Sequence, residues 1–360
     1  MYSNNFLANK VTICINRDNF LSHHNHIYIA RKDHQSVKAY EVNLKFNLNQ
    51  LISTMGEFFE REILINTNKI NRQEISCFSL LDGKVKSVDT SKIVFKDKFV
   101  DSCGMASHFI SHELVKTAFL EFFERQSFLL NYLSKSIGQR IIIERINEIG
   151  IDESIILSDI KKHHKYLKQF TDDTKYYNIS ISSKIYVVLA ISLGDIQKGI
   201  GLGTDICPYK AILKSQKEIL QNFATYSSKH NYSNIGYYED IPSSNDIYFY
   251  RFYNLTSEGL NNLYRYLVKS PSVYLTKIRS FQTINLNELI NELYIQYGIE
   301  PFIAMIPAKR DVAHLKIVKV FDFNWFPHMN PKEYDKHTFK YISEHIDTYL
   351  NEKETYVPFP

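Results

Sequence analysis

The sequence predicts a mixed α+β fold, and three observations carry that prediction. Apolar residues recur at helical spacing near 47–66, 111–134 and 208–226, while short β-branched and aromatic runs such as "KVTICIN" and "IYVVLAISL" have the character of strands. Strands and helices do not alternate one for one, so a regular βαβ architecture is not expected. With 44% hydrophobic and 14% aromatic residues, the 360-residue chain can bury a substantial core, as one large domain or two ordinary ones.

In chain order, "KVTICIN" (10–16) and "HIYIARK" (26–32) are expected strands, followed by a helix opening at Asn47, a suitable N-cap. Strand-like pieces "SCFSLL" (76–81) and "KIVFKDKFV" (92–100) lead to a turn at "DSCGMASH" (101–108), then to the long helix 111–134. Lys-rich helical segments run to about 170, ahead of the buried strand in "SKIYVVLAISLGD" (183–195). "KGIGLGTD" (198–205) is expected to be a Gly-rich turn, and Pro208 suits the first turn of the helix after it. "DIYFYRFYNL" is expected as a strand and "LNELINELYIQYG" as a helix. A strand pair in "PFIAMIPA" and "HLKIVKVFDFNWF" and a C-terminal helix complete the chain, which ends in "TYVPFP".

Several functions are excluded at this level. The net charge of +4 is small and interspersed, with no Lys/Arg block of the kind that grips nucleic acid. Cys14, Cys77, Cys103 and Cys207 lie far apart with no CxxC pair, which fits reduced thiols in a cytoplasmic protein. No apolar run is long enough to span a bilayer. "GIGLGTD" fails the dinucleotide fingerprint at its last position, and no GxxxxGK[ST] loop is present. His108 and His112 are four apart, but Phe109 stands where a zincin needs its Glu.

The pentapeptide "EFFER" occurs twice, at Glu57–Arg61 and Glu121–Arg125. On the first helix Leu48, Leu51, Ile52, Met55 and Phe59 form a stripe, with Glu57 and Glu60 pointing away from it. On the second, Glu113, Glu121 and Glu124 fall within about 80° of one another, opposite the apolar face. Two readings compete. Glu57–Arg61 and Glu121–Arg125 are ordinary i,i+4 pairs on solvated faces, or the carboxylates face each other around a cation. Thr117 and Phe128 stand among the second set where a solvated face would carry Lys. A carboxylate cluster lacking counter-charge needs a cation to ionise. Hard oxygen donors without an ExxH motif suit Mg²⁺ with a phosphate ligand better than a di-iron pair.

At these residues the chain resembles the YcaO family of ATP-dependent enzymes that activate peptide amides. Ser53, Glu57, Glu60 and Arg61 match its SxxxExxER motif without a gap. Glu113, Glu121, Glu124 and Arg125 match the second motif, after a DSNG-type turn in which Cys103 replaces Asn. Lys214 and Glu218 match the third, with Lys where many members have Arg. "FPHMN" and the terminal "VPFP" lean towards the azole-forming branch.

The resemblance implies a single domain over 1–360, with internal pseudo-symmetry and one site for ATP and Mg²⁺. In that site Ser53 lies near the nucleotide, and Glu57, Glu60, Glu113, Glu121 and Glu124 hold magnesium and ribose or phosphate groups. Arg61 belongs to the same motif, and Arg125, Lys214 and Glu218 position the phosphates. The tail is expected to reach the site, with the carboxylate of Pro360 as proton acceptor or ordering group. The N-terminal phosphate segment is represented by Lys32, Ser36 and Lys38, without glycine. The implied activity is cyclodehydration of Cys, Ser or Thr in a ribosomal precursor peptide, or else thioamide or amidine formation, or a non-catalytic scaffold. The implied partners are an E1-like or ThiF-like leader-binding protein and a flavin-dependent azoline dehydrogenase.

Overall fold

The computed structural model describes residues 11–16, 25–31, 38–44, 48–65, 74–94, 101–143, 151–232, 247–278, 285–306 and 315–359. Three sheets are built from them. Strands β1 (Val11–Asn16), β2 (Asn25–Arg31) and β3 (Lys38–Asn43) form an antiparallel meander. Two five-stranded sheets follow. The first has the order β5-β4-β12-β13-β6, from β4 (Glu74–Ser79), β5 (Val85–Asp89), β6 (Met105–His108), β12 (Phe302–Met305) and β13 (Lys316–Phe321). The second has the order β10-β9-β8-β7-β11, from β7 (Gln139–Ile142), β8 (Asp173–Asn178), β9 (Tyr186–Leu193), β10 (Gly199–Asp205) and β11 (Ser272–Tyr274). The second sheet is mixed, because β11 joins β7 in parallel while its other pairs are antiparallel.

Helices α1 (Leu48–Ile65), α2 (Ser91–Val94), α3 (Ser111–Ser134), α4 (Ile151–Leu167) and α5 (Pro208–Tyr232) pack on these sheets. They are joined by α6 (Ile247–Asn254), α7 (Ser257–Leu263), α8 (Leu286–Tyr297) and α9 (Lys336–Ile346). The fold is α+β, as the sequence predicts. No helix among the described residues is long and apolar enough to cross a membrane.

Helix α3 lies between the two large sheets. Phe119, Phe122, Phe123 and Leu129 share one core with Val318 and Val320 on one side and Val187, Leu189 and Ile191 on the other. The alternate residues of β9, Tyr186, Val188 and Ala190, face a second core with α4 and α5. Both faces of β9 are therefore covered, which explains its unbroken apolar run.

Four expectations need correcting. "KGIGLGTD" is not a turn but carries the edge strand β10. Its glycines fall on alternate positions. A Cβ at Gly201 or Gly203 would overlap the carbonyl oxygens of Ser215 and Ala211, so only glycine lets α5 lie directly on the strand. "DIYFYRFYNL" holds the helix α6, not a strand, and Phe252 on it is buried in the α3 core with Tyr253 and Leu255 packed beside it. The start of "KIVFKDKFV" belongs to α2, which buries Ile93 and Val94; the rest lies outside the described residues.

The stripe expected on α1 is also displaced. Leu48 and Ile52 are exposed, while Gln50, Thr54 and Phe58 are buried. The physical reason is polar: Gln50 Nε2 donates to the Glu41 carbonyl at 3.0 Å, and Thr54 Oγ1 donates to the Gln50 carbonyl at 2.8 Å. That turns the polar line of α1 onto β3 and stitches it to the meander. Asn47, Lys32, Ser36 and Pro360 lie outside the described residues, as does the side chain of Lys38.

Candidate functional site

The site is assembled where α1, α3 and α5 meet beside β10. Edge strands leave backbone groups unpaired, and α5 answers this with side chains one turn apart. Glu218 accepts from the Leu202 N–H at 2.5 Å, and Asn222 Oδ1 accepts from the Ile200 N–H at 3.1 Å. Thr204, two residues further along β10, donates its hydroxyl to Glu124 Oε2 at 2.7 Å. Lys214 Nζ donates to the Thr204 carbonyl at 2.7 Å and to Asp205 Oδ2 at 3.0 Å. One strand thus fixes Glu124, Lys214 and Glu218 from two different helices.

Arg125 stands at the centre. Its Nη1 is 3.9 Å from Glu124 Oε1 and its Nη2 is 3.9 Å from Glu218 Oε1. These are ion-pair separations, beyond hydrogen-bond reach. Nη1 is buried and has no hydrogen-bond partner. Burial works against the guanidinium charge, but Glu124 and Glu218 outweigh it and push its pKa above the ordinary value. Arg125 is therefore fixed in charge, with a donor unspent.

The two EFFER copies are linked electrostatically, because the charge of Glu60 on α1 acts on Glu121 of α3. Burial pushes the Glu121 carboxyl well above the carboxylate range; Arg125 opposes this, and the charges of Glu60, Glu124 and Asp101 add to it. Burial also lifts Glu60 to about 7, partly relieved by a hydrogen bond from Ser107 on β6. Gly56 makes that approach possible, since a Cβ there would stand 2.6 Å from Ser107 Oγ. Glu218 is raised to about 7, by burial first, with Arg125 opposing and Glu124 and Glu57 adding. Glu57 itself pairs with Arg61 at 2.5 Å.

Not every expected residue joins this cluster. Glu113, in the first turn of α3, is half exposed and lies 3.5 Å from His112 Nδ1. Eight residues of helix put it about 12 Å along the axis from Glu121. Ser53 is exposed and turns its hydroxyl towards Glu41 on β3. His108 and His112 do not act together: His108 Nδ1 accepts the Ile110 N–H at 2.9 Å. Among the described residues, no three His, Cys, Asp or Glu side chains converge closely enough to hold a bare metal ion.

Glu41, Lys319 and Phe359 were not picked out from the sequence, whereas Asp101 and Cys103 belong to the DSNG-type turn. Burial lifts Glu41 to about 7, with Ser53 and Lys217 opposing and Glu57 adding, and its Oε2 is buried without a hydrogen-bond partner. Asp101 accepts the N–H groups of Cys103 and Met329 at 2.8 and 2.9 Å. Burial would raise Asp101, but the charges of Lys319 and His328 outweigh it and hold the carboxyl low. Lys319, almost fully buried, donates to the Asp101 carbonyl at 2.9 Å. Burial raises the Cys103 thiol well above its ordinary value, which disfavours a nucleophilic thiolate there. Phe359 is the last addition: its ring lies 4.8 Å from the Arg125 guanidinium. An Asx turn and an aromatic in a terminal tail are common features, and no spacing rule marks them.

The raised carboxyls give a pH prediction. Glu41, Glu60 and Glu218 each bind a proton in the folded chain up to about pH 7, but in the unfolded chain only up to about 4.5. Their contribution to stability is fully present below about 4.5 and is lost as pH rises through about 7. Thermal unfolding of the nucleotide-free chain should therefore occur at lower temperature at about pH 8 than at about pH 6. Glu218→Gln should flatten that slope. An unchanged slope would contradict the burial of Glu218.

This arrangement is that of a YcaO-type fold. No family model and no curated protein matches the chain. Among solved structures, it is similar to a chain of the E. coli microcin synthetase McbBCD complex, with 19% identity, TM-score 0.72 and coverage of 100% of this chain and 99% of that one. It is also similar to YcaO from Methanopyrus kandleri bound with AMPPCP and Mg²⁺, with 15% identity, TM-score 0.64 and coverage of 88% and 86%. A heterocyclase in complex with substrate and cofactor gives 14% identity and TM-score 0.66, over 97% of this chain and 55% of that one.

Proposed function

We propose that the chain is an ATP- and Mg²⁺-dependent cyclodehydratase acting on a ribosomally made precursor peptide. The observation that carries this reading is Arg125, set between two carboxylates at 3.9 Å with its buried Nη1 unspent. A buried donor without a partner is rare unless a ligand completes it, and a guanidinium fork suits a phosphate. The carboxyls that burial has raised, Glu60, Glu121 and Glu218, would ionise against a divalent cation. Magnesium shares its shell between a few carboxylates, phosphate oxygens and water, so a set too open for a bare ion fits a nucleotide-bound one.

In this reading Arg125 donates to the phosphates and Lys214 stands at the rim of the same site. Glu57, Glu60, Glu121 and Glu124 hold magnesium, and Glu113 and Ser53 take more peripheral nucleotide contacts. Bound ATP supplies the phosphoryl group that turns the amide oxygen into a leaving group, once a Cys, Ser or Thr side chain has added to the preceding carbonyl. The chain's own part is positioning and charge neutralisation. The solved neighbours include the McbBCD complex with pro-MccB17 bound, which supports a precursor peptide as substrate and further protein subunits as partners. We assign an E1-like leader-binding protein and a flavin-dependent dehydrogenase to those roles, in a soluble, cytoplasmic assembly. The whole chain acts as one domain.

The test is to combine the chain and its partner with a Cys-containing precursor and ATP, following phosphate release and peptide mass together. Loss of one water per ring with matching phosphate release is expected. Water loss without ATP, or ATP consumption with an unmodified peptide, would contradict the assignment.

A further inference from the structure

Arg125 poses a mechanical problem. A guanidinium 3.9 Å from two carboxylates, with no hydrogen bond from Nη1, should swing onto one of them and spend its donors there. Something must hold its plane. The Phe359 ring also stands against it, 4.8 Å from the guanidinium carbon.

Phe359 is not loosely placed. It is 5% exposed, its ring is 5.2 Å from that of Phe128 on α3, and Val357 beside it is fully buried. The Phe359 N–H donates to the Val357 carbonyl at 2.8 Å, which folds the chain tightly at this point. Upstream, the Asn351 N–H donates to the Leu133 carbonyl at 2.9 Å, and Lys135 pairs with Glu354 at 3.7 Å. Tyr356 meets the Arg251 guanidinium at 5.3 Å. The tail is therefore tied down along its length, and its aromatic end is delivered to Arg125.

We propose that Phe359 is a positioning residue for the nucleotide site. Its ring holds the Arg125 guanidinium off Glu124 and Glu218, so that the buried donor stays free for a phosphate. A cation–π contact suits this task, because it fixes the plane of the guanidinium without consuming an N–H. Without the ring, Arg125 closes onto a carboxylate and the phosphate must break that pair before binding. The inference rests on the nucleotide reading of the site given above.

The experiment compares wild type, Phe359→Leu, Phe359→Tyr and Phe359→Trp, reading Mg²⁺–ATP binding by calorimetry and the KM for ATP against kcat. Thermal unfolding accompanies each variant. Leu keeps an apolar side chain against Phe128 but has no ring face, so its KM should rise about ten-fold while its unfolding temperature changes little. Tyr and Trp, which keep the ring, should retain near-wild-type KM. If Leu matches wild type in binding and KM, or if Tyr and Trp are as impaired as Leu, the positioning role is overturned. Failure of wild type itself to bind Mg²⁺–ATP would instead overturn the nucleotide reading.

Discussion

Glu124→Gln is expected to lower ATP turnover by about 100-fold or more while leaving the fold intact. The substitution keeps shape, and the amide oxygen can still accept from Thr204, which donates to Glu124 at 2.7 Å. What it removes is one of the two negative charges flanking Arg125. Arg125 then has a single carboxylate partner in Glu218, to which it is drawn, and the cation loses a ligand. Circular dichroism should match wild type, because the buried apolar cores are untouched, while the unfolding temperature falls modestly with the loss of one of the two charges that offset the desolvation of Arg125. Wild-type ATP consumption by a folded variant would remove Glu124 from the site.

Removing Val357–Pro360 is expected to cost both activity and stability. From sequence, truncation is expected to impair ring formation more than folding. The structure adds a folding cost: Val357 is fully buried and Phe359 is 5% exposed, both in the α3 core. Exposing two such side chains costs together roughly 3–6 kcal/mol, a large part of the net stability of a typical domain. The unfolding temperature should fall by roughly 5–10 °C, and turnover should fall further than the unfolded fraction explains. A truncated chain with wild-type stability and turnover would contradict the packing and the role together.

Much of the frame was legible because its signals are long and periodic. Helix α3 was expected at 111–134 and is found at Ser111–Ser134, and β9 was marked by its unbroken apolar run. The pairing of β12 with β13 followed from two apolar stretches with a break between them. The strand β10 was misjudged because glycine is a turn signal in sequence, while here it answers a need for close helix approach that only the packed structure shows. Helix α6 was misjudged for a related reason: its aromatic composition favours a strand, and tertiary packing that buries Phe252 overrides that preference.

The site divides in the same way. Glu57, Glu60, Glu121, Glu124 and Arg125 were found through a repeated motif, since spacing along a helix survives in the sequence. Glu41, Asp101, Thr204 and Phe359 come from other segments, brought there by β3, a turn, an edge strand and the tail. The turn and the tail were marked through the resemblance, while no local pattern encodes the meeting of Glu41 and Thr204 with the site. Glu113 shows the converse: it satisfies a spacing rule, yet lies two helical turns away from Glu121.

The most direct test of the central claim is a calorimetric titration of the purified chain with Mg²⁺–ATP, with Glu121→Ala as control. Magnesium-dependent binding near one equivalent to wild type is expected, with its loss in a variant that still folds. Equal binding to both, or none to folded wild type in the presence of its partner protein, would mean that the two EFFER helices build no nucleotide site.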